Sequence, residues 1–169
     1  MKVLIISDIH GNYKNLNKVI SNNEFDKLII LGDTLVGPFT EYREVANLLN
    51  KHKDKIISVK GNCDIYYDEL LEYDNDDLYI KIPIDKKILF ITHGHIYNRN
   101  HLPSTYYDIF ISGHTHVPVL EKVNDKIYLN PGSISLPRHN SLPSYAIYED
   151  NIIKILDIEN NIFKEISLN

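Results

Sequence analysis

Five short apolar runs in this chain each end in a cluster of groups that bind hard divalent cations. The clusters read Ser7-Asp8-Ile9-His10, Gly32-Asp33, Gly61-Asn62-Cys63-Asp64, Thr92-His93-Gly94-His95 and Gly113-His114-Thr115-His116. Five of the eight histidines lie in them. This pairing restricts the fold. A short, continuous apolar run reads as a strand of a sheet covered on both faces. In open α/β sheets, ligands sit beyond the carboxyl ends of the strands. Clusters far apart in sequence can therefore meet on one rim.

The intervening sequence supplies the rest of the architecture. Lys2 to Ile6, Lys27 to Leu31 and Lys55 to Val59 read as strands. Between them, Asn12 is placed to cap a helix from Tyr13 to about Asn22, with Leu16, Val19 and Ile20 on one face. A second helix is expected from Glu41 to about Lys51, with Val45, Leu48 and Leu49 inward, and a short one from Ile65 to Glu72. This alternation argues for parallel βαβ units. From Leu78 the pattern changes to strands and hairpins. Leu78 to Ile84 and Lys87 to Thr92 turn at Asp85-Lys86. Asp108 to Ser112, Pro118 to Val123 and Lys126 to Leu129 follow. Tyr145 to Glu149 and Ile152 to Asp157 turn at Asp150-Asn151, and Ile162 to Ile166 is a final edge strand. The fold class expected is α/β, with two facing mixed β-sheets flanked by helices.

A length of 169 residues suits one domain spanning residues 1–169. The net charge of -5 disfavours general nucleic-acid binding, which usually needs a basic face. Cys63 is the sole cysteine, so neither an internal disulfide nor a thiolate zinc cluster can form, as suits a reducing compartment. The first apolar run is too short for a signal peptide and ends in Asp8 and His10, and no run approaches membrane-spanning length. The expectation is a cytoplasmic protein without membrane association. Apolar edge strands in the second half leave a homo-oligomer open.

The donor set narrows the chemistry. Carboxylates, imidazoles and one amide oxygen, without a thiolate cluster, suit Mn, Fe, Co, Ni or Zn. Two ions about 3.5–4 Å apart need a shared ligand. Asp33 is the natural bridge, on the middle of the three early strands in sequence. A water held between two such ions ionises near neutral pH to give a hydroxide nucleophile, and the ions offset charge on phosphate oxygens.

These motifs resemble those of the calcineurin-like metallophosphoesterases: Asp8-Ile9-His10, Gly32-Asp33, Gly61-Asn62-Cys63-Asp64, His93 and Gly113-His114-Thr115-His116, in order. The resemblance runs from Lys2 to about Arg138. The small size, Gly37-Pro38, Thr92-His93-Gly94-His95, Val117-Pro118 and Asn130-Pro131-Gly132-Ser133-Ile134-Ser135-Leu136-Pro137-Arg138 resemble the compact YfcE-type phosphodiesterases. That resemblance implies one ion on Asp8, His10, Asp33 and His116, and another on Asp33, Asn62, His93 and His114. It implies two divalent ions, Mn²⁺ favoured over Ni²⁺, Fe²⁺, Co²⁺ or Zn²⁺, and a small phosphodiester substrate.

One position departs from the wider family, which has His where this chain has Cys63. A cysteine, with a pKa of roughly 8.5 and weak hydrogen bonding, is a poor proton donor to a leaving group. The YfcE-type branch shares the cysteine, which favours diesters. Asn62, Cys63 and Asp64 are the catalytic candidates, and His95 and Arg138 the substrate-binding ones. Three of these have a plainer reading: Cys63 as a small buried hydrophobe, Asp64 as a helix cap instead of a partner that orients a ligand, and Arg138 as a surface residue; Gly132-Ser133 reads as a tight turn. The rival functions are a non-catalytic metal-binding protein-interaction scaffold of the same fold, as in the small subunit of retromer, and a phosphomonoesterase or nucleotidase.

Overall fold

A computed structural model describes residues 1–168. Its first sheet has the order β11-β10-β9-β1-β2-β3 and its second β4-β5-β6-β8-β7. The strands of the first sheet are β1 (Val3–Ile6), β2 (Lys27–Ile30), β3 (Ile56–Ser58), β9 (Ser144–Glu149), β10 (Ile152–Asp157) and β11 (Ile162–Ser167). Those of the second are β4 (Tyr79–Ile84), β5 (Lys87–Thr92), β6 (Ile109–Ile111), β7 (Val119–Val123) and β8 (Lys126–Asn130). Both sheets are mixed, as expected. In the first, β1, β2 and β3 are parallel while β9 runs antiparallel to β1. In the second, β5, β6 and β8 are parallel and the outer strands antiparallel.

The continuous apolar run of β1 follows from burial on both faces. Val3 and Ile5 point between the sheets, against a core that includes Ile29, Ile91, Ile109 and Leu129. Leu4 and Ile6 point the other way, onto α1 (Tyr13–Ser21) and α2 (Tyr42–Asn50), through Leu16, Val19, Val45 and Leu49. Asn12 caps α1, its Oδ1 accepting the Asn15 N–H at 3.0 Å. Both helices lie on this one face. The outer face of the second sheet is covered instead by an aromatic group built on Phe90, Tyr107 and Phe110, with Tyr97 and Tyr128 against it.

Three local expectations are corrected. The stretch from Ile65 to Glu72 is not an α-helix; it holds only a 3₁₀ turn at Asp68–Leu70. Tyr67 there takes φ +70, and Ile65 and Tyr66 are exposed, so only Leu70 and Leu71 pack on the core and no apolar face runs the length of the stretch. Lys55 ends a 3₁₀ turn and does not begin β3. In α2 it is Ala46 that is fully buried, while Leu48 is only partly so. The hairpin turns fall where expected. Asp85-Lys86 and Asp150-Asn151 have both residues at positive φ, the geometry of two-residue turns that match strand twist. No helix among the described residues is long and apolar enough to cross a membrane.

Parallel pairing in register aligns the carboxyl ends of β1, β2 and β3 on one rim. The ends of β5 and β6 reach the same rim. The Gly113 N–H donates to the His93 carbonyl at 2.7 Å, and the His93 ring meets the Leu31 carbonyl beyond β2.

Candidate metal centre

All seven residues expected to bind metal meet at this rim. Asp8, His10 and His116 place donor atoms within reach of a single cation, and so do Asp8, Asp33 and His93. Asp33 Oδ2 stands between the two sets, 3.7 Å from His10 Nε2 and 3.5 Å from His93 Nε2. Asn62 Oδ1 lies 3.0 Å from His93 Nε2, and His114 Nδ1 lies 3.2 Å from that same nitrogen.

The backbone explains why so few residue types serve here. Asp8, His10, Asp33, His114 and His116 all adopt left-handed φ, between +50 and +66. Each such non-glycine residue costs about 1–3 kcal/mol and persists only where its surroundings enforce it. Two glycines make the close approach possible. A Cβ on Gly61 would sit 2.1 Å from Asp33 Oδ1, and one on Gly113 would sit 1.9 Å from Ser7 Oγ.

The hydrogen bonds set each imidazole's tautomer. Nδ1 of His10, His93 and His116 lies 2.7, 2.6 and 2.7 Å from the carbonyls of Val36, Leu31 and Leu136. A carbonyl only accepts, so each Nδ1 carries a proton, and in the neutral ring each Nε2 turns a lone pair into the cleft. There those lone pairs face other acceptors: the Asp33 carboxylate, the Asn62 carbonyl and Asp8 Oδ1, which is 3.2 Å from His116 Nε2. Asp8 Oδ1 and His10 Nε2, 3.9 Å apart, are both buried without any hydrogen-bond partner. Buried acceptors converging without donors are costly, and a cation is what relieves them. The residues present therefore fit divalent metal.

Burial works against charge on Asp8, but the His116 and His93 imidazoles outweigh it and hold its carboxyl below the usual range. The other oxygen, Oδ2, accepts from Ser7 Oγ at 2.6 Å and from the His114 N–H at 3.1 Å. Burial lowers His116, yet the Asp8 carboxylate raises it on balance; burial and then His93 lower His114.

The remaining candidates separate by environment. The Asp64 carboxylate is buried and accepts three backbone N–H groups, from Asp33, Thr34 and Gly61, each at 2.8 Å. Cys63 lines the cleft beside His10 and Asp33, its N–H donating to Asp33 Oδ1 at 2.8 Å. Burial, then the charge of Asp33, pushes its thiol up to about 11. Arg138 lines the cleft from its exposed rim. His95 stacks obliquely on His93, with ring centroids 5.3 Å apart, and its buried Nδ1 has no partner. Burial, then its histidine neighbours, lowers its pKa.

The carbonyls of Leu31, Val36 and Leu136 escape sequence reading, because every residue carries a carbonyl. Ser133 Oγ donates to the Asp8 carbonyl and accepts the Leu136 N–H, both at 2.8 Å, so the turn at Gly132-Ser133 braces the site from behind. Asn130 Nδ2 holds the Gly113 carbonyl at 2.7 Å. Both residues lie in a run that was legible as a motif, but their contacts were not.

A family model described as the calcineurin-like phosphoesterase superfamily domain matches residues 1–151. The chain is 32% identical to the phosphodiesterase YfcE of Escherichia coli K12, covering 100% of this chain and 99% of that one. It is 35% identical to the phosphodiesterase MJ0936 of Methanocaldococcus jannaschii over 78% of this chain and 83% of that one. Among solved structures, that of YfcE, a phosphoesterase from E. coli, superposes with a TM-score of 0.92 at 30% identity, each chain covered in full.

Proposed function

The chain belongs to the calcineurin-like phosphoesterase superfamily, and we propose that it is a metal-dependent phosphodiesterase acting through two divalent ions. The single observation that carries this reading is the pair of buried, unpartnered atoms, Asp8 Oδ1 and His10 Nε2, with the His116 Nε2 facing the same carboxylate. We assign Asp8, His10, Asp33 and His116 to one ion and Asp33, Asn62, His93 and His114 to the other, with Mn²⁺ the favoured metal. When bound, the ions supply Lewis-acid charge that acidifies water and offsets charge on the phosphoryl oxygens.

The protein's own groups prepare that chemistry. Backbone carbonyls fix the orientation and the Nδ1–H tautomer of three imidazoles, and Asp64 fixes the strand ends that carry Asp33 and Gly61. Arg138 offers a guanidinium fork to the phosphate from the rim. His95, neutral through burial, offers a ring nitrogen without adding charge. Cys63, whose thiol is pushed up by burial, hydrogen-bonds weakly and gives little help to a departing oxygen. This supports a diester with a good leaving group over a monoester. The same reading takes residues 1–169 as one domain, cytoplasmic and without general nucleic-acid affinity.

Hydrolysis of bis-p-nitrophenyl phosphate by metal-stripped protein, with and without added Mn²⁺, tests this function. Turnover restored by metal is expected. Bound metal without turnover would overturn it in favour of a scaffold.

A further inference from the structure

His114 lines two cavities of about 320 Å³ each. One is the metal cleft. The other opens over the outer face of the second sheet and is lined by Phe110, Tyr128, Val119, Arg99 and Asn98. Its size falls within the range of small-molecule sites. The two spaces thus flank one histidine of the proposed metal centre.

The second cavity is preformed. Asn98 and His101 exchange backbone hydrogen bonds at 3.1 and 3.0 Å, closing the loop that bears Arg99. Arg99 Nη1 donates to Glu121 Oε2 at 2.7 Å, and its guanidinium carbon lies 5.0 Å from the centroid of the Tyr128 ring. Asn130 holds the opposite wall through the Gly113 carbonyl and Thr115 Oγ1. The charge of Arg99 is already matched by Glu121, so the cavity offers aromatic and amide surface with little net charge. A second phosphate there would have to compete with Glu121 for Arg99. A flat, uncharged ring gains apolar burial and stacking.

We infer that this cavity takes one organic substituent of the phosphodiester, a planar uncharged aromatic or heteroaromatic group, with Arg99, Tyr128 and Val119 determining its size and shape. The inference rests on the phosphodiesterase reading above. It explains how an otherwise general metal cleft would choose among diesters, since the ions engage only the phosphoryl group they share.

Phenylphosphonate and methylphosphonate carry similar charge, resist hydrolysis and differ in the ring, so calorimetric titration of each into Mn²⁺-loaded protein isolates the cavity. The wild-type protein should bind phenylphosphonate about tenfold more tightly or better. Val119→Trp should fill the cavity and bring the ratio near one while leaving methylphosphonate affinity unchanged. Arg99→Ala, at an exposed position that does not threaten folding, should lower the ratio about threefold by removing one wall. A wild-type ratio near one, or a ratio unmoved in a variant with normal thermal unfolding, would overturn the cavity assignment alone. Failure of the loaded protein to bind either phosphonate would overturn the phosphodiesterase reading beneath it.

Discussion

Asp64 Oδ2 accepts the backbone N–H of Asp33 at 2.8 Å, and the same oxygen accepts that of Gly61, so one buried carboxylate joins the end of β2 to the loop after β3. Oδ1 accepts the Thr34 N–H. Asp64→Asn keeps the shape but turns an amide N–H₂ toward at least one backbone donor. It should cost about 1–3 kcal/mol of stability and weaken metal binding about 10- to 100-fold. Thermal unfolding and metal titration measure both; unchanged metal affinity would show that Asp64 does not orient Asp33.

Asp33 faces both histidine sets through Oδ2. Asp33→Asn should lower the bound metal and reduce diester turnover by at least about a hundredfold, since a ligand is worth more than its hydrogen-bonded supports. Metal content by mass spectrometry and initial rates check this. Near-wild-type turnover would sink the bridging assignment.

Cys63 lines the cleft beside His10 and Asp33. Cys63→His places a group that titrates near neutrality where the thiol stood. Monoesterase activity should rise relative to diesterase activity, on the order of tenfold. Paired rates on p-nitrophenyl phosphate and its bis ester give the ratio, and no change would put Cys63 outside the chemistry.

Asp157, away from the cleft, ties the turn between β10 and β11: its Oδ1 accepts the N–H groups of Glu159 and Asn161, both at 2.9 Å. Burial opposes its charge, but these hydrogen bonds and the Asn161 side chain win and lower its pKa. A carboxyl depressed in the folded state contributes stability above its unfolded pKa of about 3.9. That contribution disappears as pH falls through the lower folded value. Asp157→Ala should therefore cost about 2 kcal/mol at pH 7, with the difference from wild type shrinking below about pH 4. Denaturant melts across pH 3–7 would show it, and a pH-independent difference would refute the linkage.

The strands, the hairpins and the list of donor residues were open to sequence reading because they rest on short-range rules. Apolar runs such as Leu4 to Ile6 report burial on both faces, and Asp85-Lys86 reports a turn. The segment after Asp64 shows where such rules fail, because Tyr67 at φ +70 breaks a helix that local composition permits. Asp64 itself, grouped by its neighbours with the catalytic residues, proved to spend both oxygens on backbone donors.

The sequence alone determined which atoms are available to a cation, since donor chemistry belongs to the side chain and parallel strands carry their ends to one rim. Tertiary structure decided which of those atoms are free to bind it. The carbonyls of Leu31, Val36 and Leu136 take the Nδ1 protons, and three N–H groups occupy Asp64. The aromatic cavity beside His114 exists only because Arg99, Glu121 and Tyr128 meet across strands and a loop distant in sequence. Hydrogen-bond partners and cavity walls are properties of distance, and distance is set by the fold.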